Sequence, residues 1–509
     1  MGLWAAALAV GMALCGCAEP VEDIDRTQAN LLRKSDLEGE WYMLQTVVDL
    51  PPTRGFTFIG ETGALERVKW VLQQDLLVGY RSYEKVRGAQ SPSTDRGFDG
   101  TDAPIAVFTI LEHVDVRRDY NASTGEQSNV IVEDSQDRPW YERAYVRVDW
   151  SRNLAQNFDF AVPVDQAASV GYFVDEAQGG PEAFYREDDA DGRMQYFDVV
   201  GKLLVEPWED GCIYAWWGLA PTDCASGEVS IRTSFARVKP ERRYEPFHYS
   251  DQLMSRFGYF RTEYFTLDEQ RGVTDAGRRY LINRHDIWEA SYTADGTPIP
   301  IAERTLRKVP YYLSQAFPDD DLLLAASQAT FDQWNDALHE GLRALLGKEE
   351  LPPVFVLCHN PVAEGDDAAC GAVGFSPRIG DLRYSVLHWV DEESLDGPLG
   401  YGPSAADPIT GEIIAGKAYV YGAALNTYAS YAVDMVRWFN EQLDFEVLVQ
   451  GQHFSDEVVD RLIGKPSVAK PAAGLDRVPL SRTMHAHRER PRRPAVQRAE
   501  LKRYDADAV

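Results

Sequence analysis

The residue types that most often do chemistry are sparse in this chain, and their spacing is informative. Nine histidines occur, at 113, 248, 285, 339, 359, 388, 453, 485 and 487. Zinc held on a helix needs two imidazoles four residues apart, so that both share one face. The nearest approach is His339-Glu340-Gly341-Leu342-Arg343, where Arg343 occupies the second ligand position. We expect a surface pair there. His485 and His487 would diverge on a helix and could share a metal only on a strand or loop, and they lie in a basic stretch. Glu187, Asp189, Asp191, Gly192 and Asp198 have spacings like a calcium loop. The first Asp and the closing bidentate Glu of such loops are both replaced, so a hairpin turn at Ala190-Asp191-Gly192-Arg193 is the better reading. No G-x-S-x-G elbow, phosphate-binding glycine loop or dinucleotide fingerprint occurs. With 80 acidic residues, carboxylate pairs alone carry no assignment. Trp216-Trp217 could meet a ligand, but their place inside a cysteine loop favours packing.

The cysteines say more. Cys212 and Cys224 bracket "CIYAWWGLAPTDC", and Cys358 and Cys370 bracket "CHNPVAEGDDAAC". Each pair closes a short loop, which predicts two disulfides in an exported chain. A Cys/His metal site at Cys358-His359 is the weaker alternative, because no close C-x-x-C pair supports it. The remaining two, Cys15 and Cys17, end the apolar run "MGLWAAALAVGMALCGCA". That run has the length of a signal-peptide core and is short for a membrane span. Leu14-Cys15-Gly16-Cys17 resembles a bacterial lipobox, which implies lipidation at Cys17, anchorage to outer-membrane lipid, and a cell-envelope location, or secretion under an ordinary signal. No Lys or Arg precedes the run, so the start codon is expected to lie upstream.

These groups need elements to carry them. The 509 residues exceed one compact core and predict two or three domains. The 51 basic and 80 acidic residues give a net charge of −29, a field that repels phosphate backbones and excludes nucleic acid as a natural partner. After the signal peptide (1–17) comes a polar tether (18–35). Residues 36–250 hold short Val-, Ile- and aromatic-rich runs separated by turn clusters, which predicts an antiparallel β-rich domain. Residues 251–300 read as a connector packing through its aromatics. From 301 to 450 the order becomes strand, helix, strand, strand, strand, helix. The helix beginning near Asp319–Asp321 should bury Phe331, Trp334, Leu338, Leu342 and Leu345, with Gly347 closing it. The helix Asn426–Leu443 should bury Ala429, Ala432, Val433, Val436, Phe439 and Leu443. Residues 451–509 read as a basic, Pro-rich tail. The fold class is α+β.

Several stretches in this order resemble bacterial lipid-anchored zinc metallopeptidases with a metzincin-like core: "YYLSQAFP" (311–318), "GDLRYSVLHWV" (380–390) and, most specifically, "LGYGPSAADPITGEIIAGKAYVYGA" (399–423). The resemblance implies a first strand, a long backing helix and a sheet whose edge strand binds peptide by β-addition. That edge strand is expected at Gly416, Ala418 and Val420. It implies a peptide or protein substrate and, in the full-length family, zinc on an H-E-x-x-H-x-x-G-x-x-H helix with its Glu as general base. This chain has no such motif, so no catalytic or metal residue is assigned to it. It is expected to be the front part of a metallopeptidase, cut short before its zinc helix and inactive as it stands. The alternative is a non-catalytic surface-binding lipoprotein on the same scaffold. A cut-short domain should expose apolar surface on the 428–443 helix, whereas a finished binding protein should bury it.

Overall fold

The computed structural model describes residues 22–28, 30–50, 57–88, 104–150, 153–155, 184–205, 227–239, 244–392 and 398–450. The expectations for Cys15, Cys17, the Cys212–Cys224 pair, Trp216-Trp217, His453, His485 and His487 lie outside these residues.

Twelve strands come first: β1 (Ile24–Asp25), β2 (Leu31–Arg33), β3 (Glu40–Asp49), β4 (Glu66–Leu72), β5 (Leu76–Arg81), β6 (Val86–Arg87), β7 (Pro104–Tyr120), β8 (Gln127–Asp134), β9 (Tyr145–Asp149), β10 (Phe184–Asp188), β11 (Met194–Val205) and β12 (Gly227–Arg237). All but β6 join one sheet in the order β1-β8-β7-β5-β4-β3-β12-β11-β10, with β9 bridging β7 and β2. Every pairing is antiparallel except β1 with β8. The sheet curls around a core of Trp41, Met43, Val68, Leu77, Phe108, Val146, Phe197 and Phe235. Its curvature shows at Trp150, just past β9, whose ring stacks on Phe184 of β10 at 5.6 Å although the two strands are far apart in sheet order.

β3 explains how the two halves of the molecule join. Successive side chains on a strand face opposite sides. Trp41 and Met43 enter the curled core, while Tyr42 and Leu44 enter a second core with Leu382, Ala405 and Ala415 from the C-terminal half. β11 and β12 do the same, with Phe197 and Phe235 inward and Tyr196 and Ala236 outward. Burial on both faces accounts for the consecutive apolar residues Trp41–Leu44 of β3, where a one-faced strand would alternate.

Helix α1 (Asp251–Phe257) precedes a hairpin of β13 (Arg261–Thr266) and β14 (Arg278–Ile282), which β6 extends in parallel. The connector packs through only some of its aromatics. Tyr264 and Tyr280 lie under the guanidinium groups of Arg87 and Arg261 at 3.5 and 3.6 Å, whereas Phe257 and Phe260 are exposed.

The C-terminal half is a seven-stranded sheet of β15 (Arg284–His285), β16 (Val309–Leu313), β17 (Phe355–Cys358), β18 (Ser385–Val390), β19 (Gly400–Tyr401), β20 (Ser404–Ala406) and β21 (Glu412–Tyr421). Its parallel order is β15-β21-β18-β16-β17, and β19 and β20 lie antiparallel to β21. Helix α2 (Asp321–Leu346) links β16 to β17, helix α3 (Gly422–Phe439) leaves the end of β21, and α4 (Phe445–Gln450) follows. The molecule is therefore a β-rich α+β protein.

Two helix expectations are corrected. Asp320 caps α2 by accepting from Leu322 N and Leu323 N, and Gly347 closes it in the left-handed region, as the sequence implied. The buried residues, however, are Asn335, His339, Leu342 and Leu346, while Trp334 and Leu345 are exposed. Polar anchors set this rotation. Asn335 Oδ1 accepts from Val354 N and Phe355 N at 2.9 Å, and His339 Nε2 meets Pro352 O at 3.0 Å. Those bonds fasten α2 to the strand it feeds. His339 is 9% exposed, so the expected surface pair is instead a buried structural histidine.

On α3 only Gly422 and Ala423 are buried. The stripe expected to be core, including Val433, Val436 and Phe439, is exposed, because after its first turn the helix leaves the body of the protein. At that first turn a Cβ on Gly422 would lie 2.0 Å from the Trp389 ring, so only glycine lets the helix start there.

Candidate functional site

The expected substrate edge is corrected by the pairing. Gly416, Ala418 and Val420 lie in β21, which is bonded on both sides: Ala418 pairs with Leu387 of β18, Gly416 with Ser404 and Val420 with Gly400. Its main-chain groups are spent. The free edge lies one strand further out, at β20. Lys417 N donates to Pro403 O at 2.9 Å, so alternation turns the main-chain groups of Ser404 and Ala406 away from β21. Among the described residues no other strand pairs with β20.

That edge opens into a cleft of about 540 Å³. Ser404, Ala406 and Ile409 form one wall, Glu66 and Tyr83 a second, and Thr262 and Tyr264 of the hairpin a third. The walls are held by bonds among themselves. Tyr83 Oη donates to Glu66 Oε2 at 2.6 Å, and Arg81 Nε meets the same carboxylate at 3.0 Å. Burial and the Glu66 charge both push the Tyr83 phenol well above its usual range. Arg87 donates to Ile409 O at 3.0 Å while stacking on Tyr264. The cleft therefore offers fixed walls and main-chain groups that no strand among the described residues pairs, the requirements for adding an extended peptide strand.

The turn Asp407-Pro408-Ile409-Thr410-Gly411 fixes the edge in place. Asp407, 1% exposed, accepts from Ile409 N and Thr410 Oγ1 at 2.9 Å, which closes the turn on itself. It also takes a two-pronged bond from Arg67 of β4 and a bond from Tyr42 of β3 at 3.2 Å. Arg67 reaches Glu40 as well, at 2.8 Å. Burial, the largest single effect, lowers the Arg67 pKa, but the bond to Asp407 together with the Tyr42, Asp407 and Glu40 charges keeps it above the ordinary value. Burial first, and the Asp407 charge second, keep the Tyr42 phenol protonated. At Gly411, φ is 76° and a Cβ would sit 2.5 Å from Ile282 O, so both conformation and space demand glycine.

Among the described residues no histidine lines the cleft. His285 meets Tyr311 Oη at 2.8 Å beneath α2, and burial drops its pKa to about 4. The same burial pushes Tyr311 up to about 12. His388 packs on Tyr419, also with a pKa near 4 from burial. His359 Nδ1 bonds Asp366 at 2.6 Å inside the Cys358–Cys370 loop. That loop is closed by the expected disulfide, with Cα atoms 5.8 Å apart. Among the described residues no three His, Cys, Asp or Glu side chains group as metal ligands. The calcium-like stretch is a hairpin turn between β10 and β11, with Asp189 accepting from Asp191 N and Arg193 N. Asp198 is buried elsewhere, paired with Arg378 and Arg232.

No family model, curated protein or solved structure matches the chain. Sequence reasoning missed the roles of Ser404, Ala406 and Arg67. The first two sit in the stretch singled out as most specific, but the strand pairing that frees them is invisible in sequence. Arg67 is separated from its Asp407 partner by 340 residues.

Proposed function

We propose that the chain is a lipid-anchored, metallopeptidase-like envelope protein that holds an extended peptide along β20 and does not hydrolyse it. The observation carrying this reading is the element order of the C-terminal half. A first strand (β16), a long backing helix (α2), a sheet with an open antiparallel edge (β20) and a helix leaving the adjacent strand (α3) are the parts the resembled peptidases require. α3 bears Asp434 and Arg437 but no His or Cys, and the sequence carries no H-E-x-x-H motif, so no residue is assigned to hold the zinc that activates water in that family. Among the described residues no helix is long and apolar enough to cross a membrane, which is compatible with attachment through a lipid on Cys17.

The test is binding of β-casein peptides by the purified chain, with the Ser404→Pro variant as control. Proline removes the outward N–H of Ser404 without touching the bonds to β21. The expected result is saturable retention of intact peptides, weakened about tenfold or more by Ser404→Pro at an unchanged melting temperature, since loss of a main-chain bond in a desolvated edge costs roughly 1–2 kcal/mol. Equal retention by both proteins would move the site away from β20.

A further inference from the structure

The largest feature left unused by this reading is α3. Past its first turn the helix presents Leu425, Tyr428, Ala432, Met435, Val436 and Phe439 on one side. Tyr428 is 59% exposed, Val436 57% and Phe439 71%. Single exposed apolar residues need no explanation, but a continuous stripe along about 21 Å of helix does. The spacing from Leu425 through Tyr428, Ala432 and Met435 to Phe439 alternates between three and four residues. That is the pattern of a seam between paired helices, and a helix that buries one face against a sheet presents a wider band.

We propose that α3 is a self-association element, pairing antiparallel with α3 of a second copy. Three observations select that occupant. First, the seam is self-complementary. With a two-fold axis between Met435 and Val436, the protruding Phe439 of each copy falls opposite Ala432 of the other, and Met435 falls opposite Val436. Small-against-large packing of this kind is what lets two helices approach closely. Second, the charges are kept off the seam. Asp434 and Arg437 lie round the back of the helix, where they pair with each other at 3.7 Å. Two copies of a chain with net charge −29 can therefore meet there without like-charge contact. The same charges argue against a lipid surface, because between Gly422 and Gln450 a single base, Arg437, faces Asp434, Glu441, Asp444 and Glu446. Third, the size is suitable. The exposed seam amounts to roughly 600 Å² per copy, somewhat under the ~800 Å² of a standard interface, which suits a reversible dimer. The inference is independent of peptide binding at β20.

The experiment is sedimentation velocity on the full chain from about 1 to about 100 µM, a range in which a reversible dimer changes its apparent mass. The wild type is expected to pass from monomer to dimer, and Phe439→Glu to weaken association, raising the dissociation constant at least tenfold. Because Phe439 is exposed, the melting temperature should not change. Tyr428→Glu, three seam positions away, is the second variant and should act in the same direction. A chain that stays monomeric throughout overturns the proposal. If its α3 amides are then protected from hydrogen exchange, the face is covered by the chain's own residues. A dimer whose affinity both variants leave within twofold also overturns it, by placing the contact elsewhere.

Discussion

Replacing Asp407 with alanine should loosen the joint between the two halves of the molecule. Asp407 is almost fully buried and receives Arg67, Tyr42, Ile409 N and Thr410 Oγ1. Removing the carboxylate leaves the Arg67 guanidinium buried without its main partner. Truncating one member of a buried ion pair typically costs ~3–5 kcal/mol, chiefly because the other charge is stranded. Arg67 keeps its 2.8 Å contact with Glu40, so the loss should fall near the lower end, about 3 kcal/mol. Urea unfolding followed by tryptophan fluorescence gives the total, and hydrogen exchange at residues 404–413 reports whether the turn opens first. Arg67→Ala completes a double-mutant cycle. If the pair acts as a unit, the double variant loses about 2 kcal/mol less than the sum of the single losses. A loss under about 1 kcal/mol for Asp407→Ala, or strict additivity in the cycle, would refute the reasoning.

Three further outcomes are expected. Lys417 of β21 is 5% exposed, close to Thr46 Oγ1 at 3.4 Å, and burial drops its pKa from 10.5 to about 8. The unfolded chain holds that proton up to about 10.5, so the Lys417 contribution to stability is full above that pH and is lost as pH falls toward 8. Lys417→Met should therefore stabilise the protein at pH 7 by roughly 2–3 kcal/mol and flatten the pH dependence of unfolding between about 8 and 10. His388 is neutral when buried and protonates on unfolding, so its contribution is full above pH 6.5 and lost as pH falls toward 4. His388→Phe should reduce the acid-induced drop in melting temperature across that window. Replacing Cys358 and Cys370 together with serine should cost ~2–3 kcal/mol in urea unfolding, because their bond closes a short loop.

Part of the organisation was legible in the sequence because it rests on local pattern. The β-rich first half, the capped α2 helix and the Cys358–Cys370 loop follow from periodicity, caps and spacing. Where tertiary bonds compete with pattern, the reading slipped. The apolar stripe of α2 gave way to Asn335 and His339, which satisfy the loop entering β17. The stripe of α3 was correctly recognised as apolar, but an apolar stripe does not reveal whether anything in the same chain covers it. Gly416, Ala418 and Val420 looked like an edge because edge and interior strands share one alternation, and only the pairing of β19 and β20 outside β21 separates them. The −29 charge and the histidine spacings limited what the site could be without locating it.

The most direct test of the proposed function is to incubate the purified chain with β-casein peptides and added zinc, then analyse bound and free peptides by mass spectrometry and the protein by atomic absorption. Retention of uncut peptides, with far less than one zinc per chain, is the predicted result. Peptide cleavage that a chelator abolishes, accompanied by about one bound zinc per chain, would contradict it.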